Sequence, residues 1–306
     1  MSRLLLVVMA LASRLPLGVL QRLGILMGRV AYWCAPRFAA RLRTNLENSG
    51  IPQTYQESRD LVKQTAGHTG MGGLELFIAW GRETETVVSL VKRCQGWEAV
   101  AEAEAAGCGL IFVTPHLGNY DIAGRYLAHR LARPLTAMYR PPKLAWLEPL
   151  MNAGRARGNA RTAPANAAGV RLVMKALKSH ESTMILPDQA PGQGDGVWAD
   201  FFGRPAYTMT LIPRLAQMDN VKVFFFYGRR LGIGEGFEVI FTPLTEPFTG
   251  DKATDAGILN RAVEGLIRQS PEQYLWSYNR YTVPRGVQPT EPQETASCVT
   301  HSSSCG

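Results

Sequence analysis

Apolar residues along the chain alternate between two spacings. Short runs of strand length and composition fall at 109–114, 134–139, 182–187, 221–227 and 236–242, where β-branched and aromatic residues cluster. Between them a helical period predicts helices near 119–132, 144–156, 167–179 and 209–218, and two more at about 54–80 and 96–106 precede the first strand. In the longer of these two, Leu61, Met71, Leu74, Leu76, Phe77 and Trp80 supply apolar faces, while the shorter is rich in alanine and glutamate. Strands alternating with helices predict an α/β fold: a mostly parallel or mixed central sheet flanked by helices.

Ahead of this pattern lies a different one. Residues 4–12, 15–28 and 30–34 are mostly apolar, but Arg14, Pro16 and Arg22 interrupt them, so no run reaches the roughly 18–20 apolar residues of a spanning helix. The favoured expectation is an apolar, membrane-associated helical arm lying in or dipping into the lipid interface. Tyr32 and Trp33 would sit at headgroup depth and the arginines would snorkel to lipid phosphates. A tilted single span is the competing arrangement. The segment also imitates a signal or transit peptide, neither of which is preferred. Gly24-x-x-x-Gly28 has helix-pairing spacing but is too short a pattern to assign a partner.

Charge sharpens this picture. The chain has 306 residues and net charge +8, and seven arginines (Arg3, Arg14, Arg22, Arg29, Arg37, Arg41, Arg43) precede the first acid, Glu47. Cations without counter-charge beside apolar surface point to an anionic membrane as partner. The length suffices for one sizeable core. Five scattered cysteines, an odd number, suit a reducing cytosol.

The chemistry-bearing motif is His116-x4-Asp121, directly after the apolar run Leu110–Thr114 and at the start of a predicted helix. Open α/β sheets place their chemistry outside the carboxyl ends of strands. A neutral imidazole there can take a proton from an alcohol, and Asp121 in the first helical turn is expected to hold it. Asp188 ends a second apolar run and should project toward the same place, and a turn residue is its plainer role. Arg155 and Arg157, with Arg140 and Arg161 nearby, form a basic cluster suited to phosphate, or else a solvated helix face. Phe201 and Phe202 either wall an apolar groove or belong to the core. Ser270, Pro271 and Gln273 read as a helix start with a capping box. Gly192–Gly196 lacks the spacing of a nucleotide-binding loop, the histidines lack metal-ligand spacing, and no G-x-S-x-G elbow of a serine hydrolase occurs.

Taken in order, His116-x4-Asp121, Tyr139-Arg-Pro141, Gly154-Arg-Ala-Arg-Gly-Asn159, Pro187-Asp-Gln189, Phe201-Phe-Gly-Arg-Pro-Ala206 and Pro271-Glu-Gln-Tyr-Leu-Trp276 resemble blocks of the lysophospholipid acyltransferase superfamily. Within it they resemble the lipid A late acyltransferases. The basic triplet that often follows the tryptophan is reduced here to Arg280. The resemblance implies an acyltransferase domain at 46–286, after the membrane-associated arm at 1–45, and the Pro-, Thr- and Ser-rich composition of 287–306 predicts a disordered tail. The resemblance also implies His116 and Asp121 as catalytic, with Arg155, Asp188, Arg140 and Arg157 supporting substrate or transition state. An acyl carrier protein thioester would be co-substrate, with no cofactor or metal. The acceptor would be a phosphorylated glycolipid, the location the cytoplasmic face of the bacterial inner membrane, and no nucleic-acid partner is expected. Three alternatives stay open: an acyltransferase of the same branch with another glycolipid, aminolipid or lysophospholipid acceptor; a non-catalytic basic membrane-binding protein; and a hydrolase using the same pair on water.

Overall fold

A computed structural model describes residue 9 and residues 11–142 and 147–290. Most of the tail at 287–306 and the first residues of the apolar arm lie outside the described residues.

Strands β1 (Val91–Gln95), β2 (Gly109–Val113), β3 (Leu135–Tyr139), β4 (Ala160–Pro164), β5 (Ser182–Ile185), β8 (Val221–Arg230) and β9 (Phe237–Pro243) form one sheet in the order β1-β9-β8-β2-β5-β3-β4. The sheet is mixed: β8 and β9 pair antiparallel and every other neighbour pairs parallel. Strand β2 is buried at all its positions, which is why it reads as an unbroken apolar run rather than an alternating one. Strands β6 (Gly196–Phe201) and β7 (Arg204–Met209) make a separate hairpin. Phe201 and Phe202 at its turn are buried in the main core beside Trp276, so they pack the core and do not wall a groove.

Helices α1 (Leu17–Cys34), α2 (Pro36–Asn48) and α3 (Tyr55–Gly81) precede the sheet, with a short α4 (Thr84–Val88). Then come α5 (Trp97–Ala105), α6 (Tyr120–Arg130), α7 (Glu148–Arg155), α8 (Ala167–Lys178), α9 (Leu211–Ala216) and α10 (Lys252–Gln269). Strands β1 and β4, the hairpin and α10 are additional to the elements that the apolar pattern predicts. The capping box at Ser270 does not form. Pro271–Gln273 is one short 3-10 turn and the Ser270 hydroxyl makes no cap bond. Gln273 is drawn instead to the Arg230 backbone, accepting from its N–H at 2.8 Å and donating to its carbonyl at 3.2 Å.

The N-terminal helices are part of the body. Helix α1 runs along α3, and Gly24 and Gly28 face Gly70 and the Ala66 carbonyl so closely that a Cβ at any of the three glycines would collide with backbone. The G-x-x-x-G spacing thus pairs two helices of one chain. Asn45 of α2 donates to the carbonyls of Trp276 and Tyr278 at 2.6 and 3.0 Å. On its outer side α1 exposes Val19, Leu23, Leu26, Met27, Val30 and Trp33, which at helical spacing form one apolar stripe. Tyr32 packs partly into the core, unlike its exposed neighbour. Among the described residues no helix is long and apolar enough to cross a membrane.

Candidate active site

Two strand ends make the site. In the parallel β2–β5 pair Val113 stands beside Ile185, and three residues beyond each lie His116 and Asp188. His116 Nδ1 is 2.8 Å from Asp188 Oδ1, and its backbone N–H donates to Oδ2 at 2.9 Å. One carboxylate therefore fixes both the ring and the main chain of the histidine. Burial opposes the charge on Asp188, but the facing imidazole and the bonds from His116 outweigh it and hold the carboxyl below its usual range. An ionised carboxylate on Nδ1 selects the tautomer with its proton there and leaves Nε2 as acceptor. The side-chain nitrogen of Gln189 lies 3.3 Å from that Nε2.

This corrects the pairing expected from the sequence. Asp121 does not hold His116. It takes the fork of Arg155, with Nε at 2.7 Å and Nη2 at 3.2 Å on its two oxygens. Asp121 sits in the first turn of α6, directed at the last turn of α7, whereas Asp188 shares the strand-end layer with His116. Burial works against the Arg155 charge, yet Asp121 and Tyr120 outweigh it and hold the guanidinium above its ordinary value. Arg155 also lies over the rings of Trp80 and Tyr120, at 5.6 and 5.8 Å, and Tyr120 meets His116 edge to face at 5.0 Å.

The other arginines of the expected cluster serve separate places. Arg157 donates to the Trp80 and Arg82 carbonyls at 3.0 and 2.9 Å, closing the carboxyl end of α3 as cations favour. Arg140 donates to the Ala190 carbonyl at 3.1 Å, bracing the segment after Asp188. Arg161 is exposed near Glu181.

The turn carrying His116 is held from three sides. Gly118 has φ +60° and a Cβ there would strike the Gly228 carbonyl, so the position needs glycine for conformation and space alike. Its N–H donates to Gln273 O at 3.0 Å, Asn119 N–H to Gly228 O at 2.8 Å, and Leu275 N–H to His116 O at 3.0 Å. The Asn119 side chain caps α6 through Ile122 N–H at 2.9 Å and donates to Glu75 at 2.8 Å. Glu75 is a fully buried carboxylate that also receives Arg230, with contacts at 2.8–3.0 Å, and Gln21 of α1 at 2.9 Å.

Beside His116 opens a cavity of about 260 Å³, lined by His68, Gly73 and Leu76 of α3, Tyr120 and Asp121 of α6, and Tyr274. Burial, aided by Arg230, pushes the His68 imidazole down to about 3, so it is neutral in the folded chain at neutral pH. Among the described residues no group of three His, Cys, Asp or Glu side chains could hold a metal ion.

Sequence reading missed Glu75, Arg230, Asn119 and Gln189. Glu75 left a signal, as the lone acid within the apolar stretch Gly72–Trp80. Gln189 lies in the Pro187-Asp-Gln189 block without a role assigned to it there, and Arg230 and Asn119 sit at a strand end and in a turn where nothing local marks them.

The chain has relatives among known proteins. Residues 2–282 match the family model described as bacterial lipid A biosynthesis acyltransferase. The chain is 30% identical over 293 residues to the lipid A biosynthesis lauroyltransferase of Escherichia coli (strain K12), covering 92% of this chain and 91% of that one. It is 27% identical over 275 residues to the palmitoleoyltransferase of the same organism, covering 88% and 86%. A lipid A biosynthesis acyltransferase of Haemophilus influenzae is 25% identical over 260 residues, covering 82% and 79%.

Proposed function

This chain belongs to the bacterial lipid A biosynthesis acyltransferase family and is an acyltransferase; we propose that it moves a fatty acyl group from an acyl carrier protein thioester to a hydroxyl of a lipid A precursor. The observation that carries the chemistry is the His116–Asp188 pair beside the cavity. With Nδ1–H held by the carboxylate, Nε2 is the ring atom left to accept the proton of the attacking hydroxyl. The alkoxide oxygen adds to the thioester carbonyl carbon, and the resulting oxyanion collapses with cleavage of the C–S bond. The leaving thiolate takes the proton back from the imidazolium, which Asp188 stabilises meanwhile. No covalent acyl-enzyme is needed. Arg155, locked on Asp121, brings positive charge close to the site and would meet the acceptor's phosphate.

The surface supports a place of action at a membrane. The exposed stripe of α1, with Arg22 and Arg29 on the same helix, suits the anionic cytoplasmic face of the inner membrane. The net positive charge would also attract an acidic carrier protein.

The test is mass spectrometry of lipid A from a strain lacking the protein, together with turnover of purified enzyme on an acyl carrier protein thioester. Loss of one acyl chain's mass, restored by wild type and not by His116→Ala, is expected. Unchanged lipid A, with turnover only on a lysophospholipid or aminolipid acceptor, would instead assign the enzyme to another acceptor within the branch.

A further inference from the structure

We propose that Gln189 is a further catalytic residue, whose side-chain amide yields the His116 lone pair to the acceptor hydroxyl and then donates to the thioester oxygen as it becomes an oxyanion. The proposal rests on the acyl-transfer reading above. Its basis is a contact that a resting base does not need: the Gln189 amide nitrogen stands 3.3 Å from His116 Nε2, the atom that must receive the proton. A carboxamide has two N–H donors, and among the described residues this side chain has no other hydrogen-bond partner than that ring nitrogen.

Four of the six N–H groups that follow His116, the usual source of oxyanion donors, are occupied, and those of Tyr120 and Asp121 are not among the four. After His116 the N–H of Leu117 donates to Pro115 O, that of Gly118 to Gln273 O, that of Asn119 to Gly228 O and that of Ile122 to the Asn119 side chain. Arg155 is committed by both arms of its fork to Asp121. Gln189 is placed differently. Its main chain is fixed, because Asp188 before it takes two bonds from His116 and Ala190 after it is held on both sides. The Ala190 N–H donates to the Tyr278 hydroxyl at 3.1 Å, and its carbonyl accepts from Arg140 at 3.1 Å. Only the side chain is left to turn. An incoming hydroxyl must take the amide's position on Nε2, and the displaced N–H groups then lie beside the carbonyl carbon under attack. The amide gives up one long neutral contact on Nε2 and gains a stronger one only when charge develops on the oxygen, which is the differential binding that accelerates a reaction.

The experiment is steady-state kinetics of the purified full chain with an acyl carrier protein thioester and a phosphorylated glycolipid acceptor, comparing wild type, Gln189→Ala and Gln189→Glu. Loss of one oxyanion donor lowers kcat by about 10² to 10³. Gln189→Ala is expected to fall within that range, with both KM values and the Tm close to wild type. Gln189→Glu keeps the size but removes the donors, and should be no faster than Gln189→Ala. Gln189→Ala turning over as fast as wild type or faster would reduce the glutamine to an obstruction and overturn the proposal. A rise in KM with kcat preserved, a loss confined to Tm, or full activity in Gln189→Glu would also overturn it. Failure of wild type itself on these substrates, with an intact fold, would defeat the underlying reading and the glutamine's role with it.

Discussion

His116 and Asp188 stand at the same distance, three residues, past partners Val113 and Ile185 that face each other in parallel strands. Equal offsets from a common register are what bring the imidazole and the carboxylate to 2.8 Å. The acid that completes the H-x4-D motif is turned the other way and holds Arg155. The two carboxylates accordingly have separable duties.

Removing them should therefore give different phenotypes. Asp188→Ala is expected to lower kcat by about 10³- to 10⁴-fold, the scale seen when the acid behind a catalytic histidine is lost. Asp121→Ala should act through Arg155, altering acceptor KM along with kcat. Nitrogen NMR of the His116 ring supplies the independent readout, since only the Asp188 variant should redistribute the tautomers. A tautomer shift in the Asp121 variant instead would contradict the observed pairing.

Arg155→Lys should fail to rescue Arg155→Ala. Lysine keeps the charge but cannot span both Asp121 oxygens or lie flat over Tyr120 and Trp80. Both variants are expected about 10- to 100-fold below wild type, the scale of one charge-assisted bond of about 1.5–3 kcal/mol. Initial rates across the three proteins decide the matter. Near-normal turnover in Arg155→Lys would leave only a diffuse electrostatic role.

Leu26→Asp and Trp33→Ala change residues that are 60% and 82% exposed, so folding should be spared. Withdrawing this apolar area from an interface, at about 1.5–3 kcal/mol per large side chain, should reduce sedimentation with anionic vesicles by at least about tenfold in the double variant. Unchanged partition at low and high salt would move the lipid contact away from α1.

Neutral His68 gives the fold a distinct acid sensitivity. Its folded value is pushed down to about 3, below the ordinary histidine value of about 6.5, so between these pH values the unfolded chain binds the extra proton. Stability should then fall as pH drops from about 6.5 toward 3, by up to about 1.4 kcal/mol per unit from this group. In His68→Leu the slope of denaturant stability against pH should be shallower by that amount. An identical slope in both proteins would mean that His68 is not kept neutral by the fold.

Much of this was legible beforehand. Buried runs such as Leu110–Val113 announce themselves because both faces of the strand are covered. Edge strands do not: β1 reads Val-Lys-Arg-Cys-Gln with an exposed side, and β4 is short and ends in proline. The partner exchange at the site was hidden for a different reason. Motif spacing describes residues near in sequence, while the His116–Asp188 pair depends on which strand lies beside which. The strand positions carry that information only when β2 and β5 are known to be parallel neighbours. Arg157 is grouped with Arg155 by proximity and by the shared Gly154–Asn159 block, and its attachment to the carboxyl end of α3 required knowing where a helix 75 residues earlier would stop.

The glycine interlock of α1 on α3, with Gln21 reaching Glu75 and Glu75 reaching Asn119, removes any hinge between the outward-facing helix and the turn that bears the histidine. A body built this way cannot bob on a leash above a bilayer. If the α1 stripe rests on lipid, the height of His116 over that plane is set by the girth of stacked helices, and an acceptor must rise by a constant amount to be acylated. Which hydroxyl of a glycolipid is modified then becomes a matter of altitude as well as of shape.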